Sequence, residues 1–182
     1  EQEGVIASWF PEWSKVSSLP QRNLLHRHTV DRHMVETLVH ASALTRKVHR
    51  PDLLLFAALF HDIGKGTEDD HSIRGASLII PIAARVGFDS ADQETLKILV
   101  QHHLLLSATA TRRDLDDPAT IATVLSTIPD VATLELLHAL SVADGEATGK
   151  AAWSQWKAGL VEDLVRRVKS AMVDNTLAPQ PE

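Results

Sequence analysis

The chain has 182 residues, the size of one ordinary domain. Hydrophobic residues make up 44% and charged residues 23%, which suits a folded globular chain and excludes intrinsic disorder. The absence of cysteine excludes disulfide scaffolds, cysteine-rich zinc modules and thiol catalysis, and a net charge of −6 argues against a nucleic-acid partner.

The acidic opening Glu1-Gln2-Glu3 carries no signal-peptide pattern. The longest apolar run, Leu53 to Phe60, falls well short of the ~20 residues needed to cross a bilayer, so no membrane partner is expected and the cytoplasm is the default location. The first residue is not methionine, and the chain reads as part of a longer one. Ser17 to Pro20 and Ala178 to Pro181 read as linker edges. They divide the chain into an N-terminal linker or helix over 1–19, a domain over 20–174 and a linker over 175–182.

Val30, Met34, Leu38 and Ala41 form one helical stripe. Pro51, at a permitted first-turn position, opens a second helix that runs to Asp62 and is ended by Gly64 and Gly66. A third spans Ser72 to Val86, with a kink or an early break expected at Pro81 and Gly87 closing it. Ser90 with Gln93 reads as a capping box for a fourth helix through His103. The Ser/Thr/Arg/Asp content of Leu104 to Asp116 predicts a loop. Asp117-Pro118 then caps a fifth helix, and Asp130 opens a sixth with Leu134, Leu137 and Leu140. The last, Ala151 to Val173, sets Trp153, Trp156, Leu160, Leu164 and Val168 along one face, with both tryptophans read as core anchors. No segment of period two competes, and the fold class is all-α, about seven helices.

Ten histidines are the oddity of the composition. His61-Asp62 ends the most apolar helix, and two polar residues there are costly to bury unless something satisfies them. A divalent first-row ion does so through a carboxylate and several imidazoles. His33 lies on the preceding helix, His71 just before the next, His102-His103 at another helix end, and Asp144 interrupts an apolar face in Ser-Val-Ala-Asp. Read one by one, each is equally well a helix cap or a satisfied polar residue. His28, His40, His49 and His138 read as ordinary surface or core histidines.

The ordered set H…HD…H…HH…D, with His-Asp-Ile-Gly-Lys in one block, resembles the HD-domain metal-dependent phosphohydrolases, a family of helical bundles. By that resemblance His33, His61, Asp62 and Asp144 hold one divalent metal ion, and His71, His102 and His103 a second, with Asp62 bridging. His26 matches a family position, where it either orients a ligand from outside the first ring of donors or is itself a ligand. Two ions about 3.5–4 Å apart orient a phosphate, stabilise charge on attacking and leaving oxygens, and supply hydroxide near neutral pH for attack on phosphorus. Lys65 is a charge clamp on the phosphate or a donor to the leaving oxygen. Imidazole-rich ligation favours Mn, Fe or Zn over Mg, and family habit keeps Mg among the candidates and puts Mn first.

The HD-GYP branch requires a Gly-Tyr-Pro signature, and this chain has no tyrosine. A closer resemblance lies in the flanks. Pro11-Glu12-Trp13, Pro20-Gln21-Arg22-Asn23 and Thr29-Val30-Asp31-Arg32-His33 are similar to the HD region of the bifunctional PII uridylyltransferase/uridylyl-removing enzymes. So are His102 to Leu105, Arg112-Arg113-Asp114, Asp117-Pro118, Ala147-Thr148-Gly149, Trp153, Trp156 and Lys157. His28 departs from the pattern, standing where the family carries an aromatic residue.

The resemblance implies a phosphodiesterase that removes a nucleotidyl group from a tyrosine of the PII nitrogen-signalling protein. An N-terminal nucleotidyltransferase domain and C-terminal ACT domains would lie elsewhere on the full-length chain. Actinobacterial relatives handle adenylyl rather than uridylyl groups, and both bases stay open. Arg112 and Arg113 are candidate phosphate or partner contacts, the alternative being salt bridges with Asp114, Asp116 or Asp117. Two other readings share every ligand: a hydrolase of free nucleotides of the alarmone or deoxynucleotide kind, and a non-catalytic module that its metals merely staple.

Overall fold

A computed structural model describes residues 4–21 and 27–177, with side chains to 174. His26, with Arg22 and Asn23, lies outside the described residues. The described residues are all-helical, and none of their helices is long and apolar enough to cross a membrane. The helices are α1 (Val5–Trp9), α2 (Val30–Ser42), α3 (Pro51–Phe60), α4 (His71–Arg85), α5 (Ser90–Gln101), α6 (Leu105–Arg112), α7 (Pro118–Leu125), α8 (Val131–Thr148) and α9 (Gln155–Leu177). Short 3₁₀ turns join them at Pro11–Lys15 and Thr45–Lys47.

Two helices form the centre. α3 buries Leu53, Leu54, Ala57, Ala58 and Phe60, and α8 buries residues on every side. A helix apolar all round belongs inside, and these two touch each other there. α2 packs on both, α5 packs on both and carries α4 outside it, while α6 and α7 lean on α9. The four phenylalanines and Trp13 meet on one side of α3, with ring centroids 5.0 Å apart for Phe10–Phe60 and 5.9 Å for Trp13–Phe60. Residues Phe10, Trp13 and Val16 are therefore part of the same core as α3.

Caps follow the sequence with one shift. Asp117 and Asp130 accept from Ala119 N–H and Thr133 N–H, as Asp117-Pro118 and Asp130 predict. For α5 the cap is Asp89, accepting from Asp92 N–H at 2.9 Å, rather than Ser90. Gln93 instead donates to the Phe88 carbonyl. α4 continues through Pro81 to Arg85. Pro81 and Ser77 are both exposed, so the Ser77 carbonyl that loses its partner faces water.

The stretch read as a loop contains α6. Its Leu106, Thr109 and Ala110 are buried, and Thr111 folds its hydroxyl back onto the Ser107 carbonyl at 2.8 Å. Packing against α9 overrides a composition that reads as loop. α9 begins at Gln155, later than the expected Ala151, where Ser154 Oγ accepts from Lys157 N–H at 3.2 Å. Trp156 is 68% exposed and anchors no core. Trp153 precedes the helix, half-buried, with its indole seated on Gly145, where a Cβ would fall 2.2 Å from the ring.

Candidate metal centre

The two central helices deliver the site. His61 and Asp62 follow α3 directly, Asp144 sits in the last two turns of α8, and His33 faces them from α2. The turn after α3 is tight. A Cβ on Gly64 would lie 2.1 Å from the His71 carbonyl and 2.5 Å from Gly75 N, so α4 can dock its first turn there only against glycine. That docking brings His71 over Asp62. His103 arrives from the end of α5, whose Val100 packs on Gly75.

Two donor groups result, each with its ligand atoms within 4.8 Å of one another: His33, His61 and Asp144, then Asp62, His71 and His103. In the first, His33 Nε2 stands 2.9 Å from Asp144 Oδ1 and 3.3 Å from His61 Nε2. Asp62 divides its oxygens between the groups. Oδ2 is 3.5 Å from His61 Nε2 and 3.9 Å from His33 Nε2, while Oδ1 is 3.7 Å from both His71 Nε2 and His103 Nε2.

Two backbone carbonyls set the imidazoles. His61 Nδ1 lies 2.9 Å from the Ala58 carbonyl and His103 Nδ1 2.7 Å from that of Val100, each three residues back. Donation from Nδ1–H fixes the tautomer and leaves the Nε2 lone pair facing the site. The pairing follows from ending a helix on histidine: the orphan carbonyls of the last turn are within reach.

Burial and the neighbouring charges pull against each other at Asp62, Asp144, His61 and His103. Burial opposes the charge on Asp62, yet His61, Lys65 and His103 hold its carboxyl far below the usual range. Burial likewise opposes charge on Asp144, and its hydrogen bonds to His33 and His61 hold it well down. Burial works against an imidazolium at His61, but Asp62 and Asp144 outweigh it and raise its pKa. His103, buried and facing His61, is pushed down to about 4, although Asp62 pulls the other way.

Asp62 Oδ1 is fully buried with no hydrogen-bond partner among the described residues. A buried carboxylate oxygen left that way is costly. Donors that share an ion at about 2.1 Å stand about 3–4 Å apart, which is the spacing of Oδ1, His71 and His103. The residues therefore fit a divalent ion of the kind imidazole and carboxylate prefer.

A cavity of about 790 Å³ opens onto Asp62, His71, His103 and Asp144. Lys65 lines it, with Nζ 2.7 Å from Asp62 Oδ2 and 2.7 Å from Gln21 Oε1. Gln21, to which the sequence reading gave no role, thus holds the one lysine that touches the site's carboxylates among the described residues. Proximity in the folded chain, not spacing, is the only signal for it.

Three of the expected site residues lie apart from the donor groups. His102 belongs to neither donor group; it is half-buried and its burial lowers its pKa. Arg112 and Arg113 do not line the cavity. They border a second cleft of about 460 Å³ with Thr109, Thr120 and Thr123, beyond the far end of α6, and among the described residues neither pairs with Asp114, Asp116 or Asp117. Of the histidines read as ordinary, His40 pairs with Glu146 on the surface at 3.0 Å and His138 is half-buried.

The family profile of the HD domain matches residues 30–144, which runs from the first residue of α2 to Asp144 on α8. The whole chain is 56% identical to a bifunctional uridylyltransferase/uridylyl-removing enzyme of Streptomyces coelicolor, covering 21% of that protein. The corresponding Mycobacterium tuberculosis enzyme is 52% identical over the whole chain, 22% of its own length, and that of Ruegeria pomeroyi is 35% identical over 93% of the chain, 20% of its own. The chain thus spans about a fifth of the curated relatives it matches. With the donor groups in place and the profile covering them, the chain belongs to the HD-domain family.

Proposed function

We propose that this chain is a metal-dependent phosphodiesterase that removes a uridylyl or adenylyl group from a tyrosine of the PII protein. The observation that carries the reading is the pair of donor groups joined at Asp62 and open to one cavity. Of the two activities in its relatives' names, removal is the one assigned to this segment, because no Gly-Ser…Asp-x-Asp transferase motif stands in the sequence. The transferase and ACT domains belong to the full-length chain under this reading, and its compartment is the cytoplasm.

In this scheme His33, His61 and Asp144 would hold one ion, and Asp62, His71 and His103 would hold a second. Such ions supply Lewis acidity, lowering the pKa of water and neutralising phosphate charge; Mn is favoured, then Fe or Mg. The chain's own residues do the rest. The Ala58 and Val100 carbonyls keep two imidazoles aimed inward. Lys65, steadied by Gln21, places an ammonium at the mouth of the carboxylate cluster, where it meets a phosphoryl oxygen. Water adds to phosphorus, the bond from phosphorus to the phenolic oxygen breaks, and the products are tyrosine and a nucleoside monophosphate. A phenol leaves with pKa about 10, so a charge clamp suffices and no strong general acid is required. These 182 residues contain no tyrosine, which agrees with a modified residue on a separate protein. Arg112 and Arg113, away from the cavity, are assigned to the protein part of that substrate.

Incubation of the chain with uridylylated PII, adenylylated PII and a panel of free nucleotides tests the reading. Release of UMP or AMP from protein alone is the expected result. Hydrolysis of alarmones or deoxynucleotides alone overturns it in favour of the free-nucleotide hydrolase, and no hydrolysis by metal-loaded protein favours the stapled module.

A further inference from the structure

Lys157 is a cation of the cavity that the metal-site reading leaves unused. It projects from the first turn of α9 and lines the same space as Asp62, His71, His103 and Asp144. It is half-buried, yet no carboxylate pairs with it among the described residues, whereas Lys65, Lys97 and Lys169 each have one. The other lysines without such a partner, Lys15, Lys47 and Lys150, are exposed. A half-buried ammonium without a counter-charge is unfavourable unless something else meets it.

Its position is built rather than incidental. Nζ donates to the Ala152 carbonyl at 3.1 Å and lies 5.7 Å from the centre of the Trp153 ring. Trp153 in turn rests on Gly145, where there is no room for a Cβ, and Gly145 adjoins the metal-site residue Asp144. The ammonium is thus braced through the indole against the helix that carries a metal ligand. Of its three protons one is used by Ala152, leaving two for a ligand.

We propose that Lys157 is a substrate-anchoring residue that donates hydrogen bonds to oxygen acceptors of the nucleotide half of the substrate, on the wall formed by the end of α8 and the start of α9. This rests on the phosphodiesterase reading above. The cavity of about 790 Å³ is far larger than a phosphate, so it has room for a nucleoside and a tyrosyl ring together. Once ions offset the acidic floor, two lysines on the walls make it a receptor for an anion in a protein of net charge −6.

The test is calorimetric titration of the Mn-loaded 182-residue chain with UMP and, separately, AMP. Lys157→Met, which keeps the stem over Trp153, is expected to weaken binding by about tenfold or more, and Lys157→Arg to stay within about threefold. Metal content by elemental analysis and the melting temperature should match wild type in both variants. Lys157→Met that binds like wild type overturns the role of Lys157 alone. Loss of metal or of melting temperature in step with lost binding assigns Lys157 to the scaffold and overturns it as well. A wild-type protein that binds neither nucleotide overturns both this role and the nucleotidyl-removing reading.

Discussion

Two pairs of adjacent polar residues end two helices of this molecule, and they are treated differently. His61 and Asp62, after α3, are both buried, with 0% and 2% exposure. Of His102 and His103, after α5, only His103 turns inward, at 2% exposure, and His102 stays half in solvent. The cause is the place of each helix. α3 is enclosed by α2, α5 and α8, so both residues that follow it meet protein. α5 borders the core on one side, and consecutive residues at a helix end point about 100° apart, so one of the two faces outward. A dipeptide at a helix end therefore turns both side chains inward only where the helix is central.

The largest effect that probes this contrast is at Asp62, whose two oxygens face the two donor groups. Asp62→Ala is expected to lower hydrolysis of nucleotidylated PII by more than about a thousandfold, because Lewis-acid stabilisation worth several kcal/mol goes with the ions. Elemental analysis should find both ions depleted. Unchanged turnover in that variant would sink the two-ion scheme.

The contrast itself is broken or kept by the second pair. His103→Ala should cost about a hundredfold in rate and one ion per chain, while His102→Ala should change the rate by less than about threefold and retain both ions. Equal losses from the two substitutions would mean that His102 moves in when metal binds, and the helix-position argument would fail.

A third substitution acts on the joint between the two regions. In Gly64→Ala the new methyl would meet the His71 carbonyl at 2.1 Å, and backbone cannot step aside as a side-chain tip does. A loss of about 3 kcal/mol in denaturant unfolding is expected. Metal affinity should fall more at the group holding His71 than at the group holding His33. An Ala variant as stable as wild type would show that α4 can shift without cost.

Much of this was legible beforehand, for identifiable reasons. The seven expected helices follow apolar stripes and Asp caps, signals that are local and strong, as at Asp117 and Asp130. α6 was not legible, because its Ser and Thr hydroxyls find partners in their own helix and its stability comes from α9. His33, His61, Asp62, His71, His103 and Asp144 were legible as an ordered set that matches a family. Gln21 beside Lys65, and Lys157 braced by Trp153, were not, since both depend on contacts between segments distant in sequence. Arg112 and Arg113 show the reverse: a pair of cations in the right order, carried by α6 to another cleft.

The smallest effect lies beneath the wall that faces His61-Asp62. Asp31 accepts from Ser18 N–H at 2.8 Å and Arg32 N–H at 2.9 Å, which ties the segment leading to Gln21 onto α2. Ser18 has φ 55, left-handed backbone that a serine adopts only when its surroundings impose it. Burial opposes the Asp31 charge, but the Thr29 hydroxyl and those two amides outweigh it and lower the pKa. A lowered folded-state pKa means that the stabilisation is fully present above the unfolded value of about 4 and is lost as the pH falls through the folded one. Asp31→Asn keeps the shape and weakens the charge-assisted bonds, so it should cost about 1 kcal/mol at neutral pH. The gap from wild type should close as the pH drops below about 4. A gap that is constant with pH would mean that the carboxylate acts only as a shape. Because this segment positions Gln21, and Gln21 holds Lys65, the variant should also raise KM more than it lowers kcat, while His102→Ala should move neither.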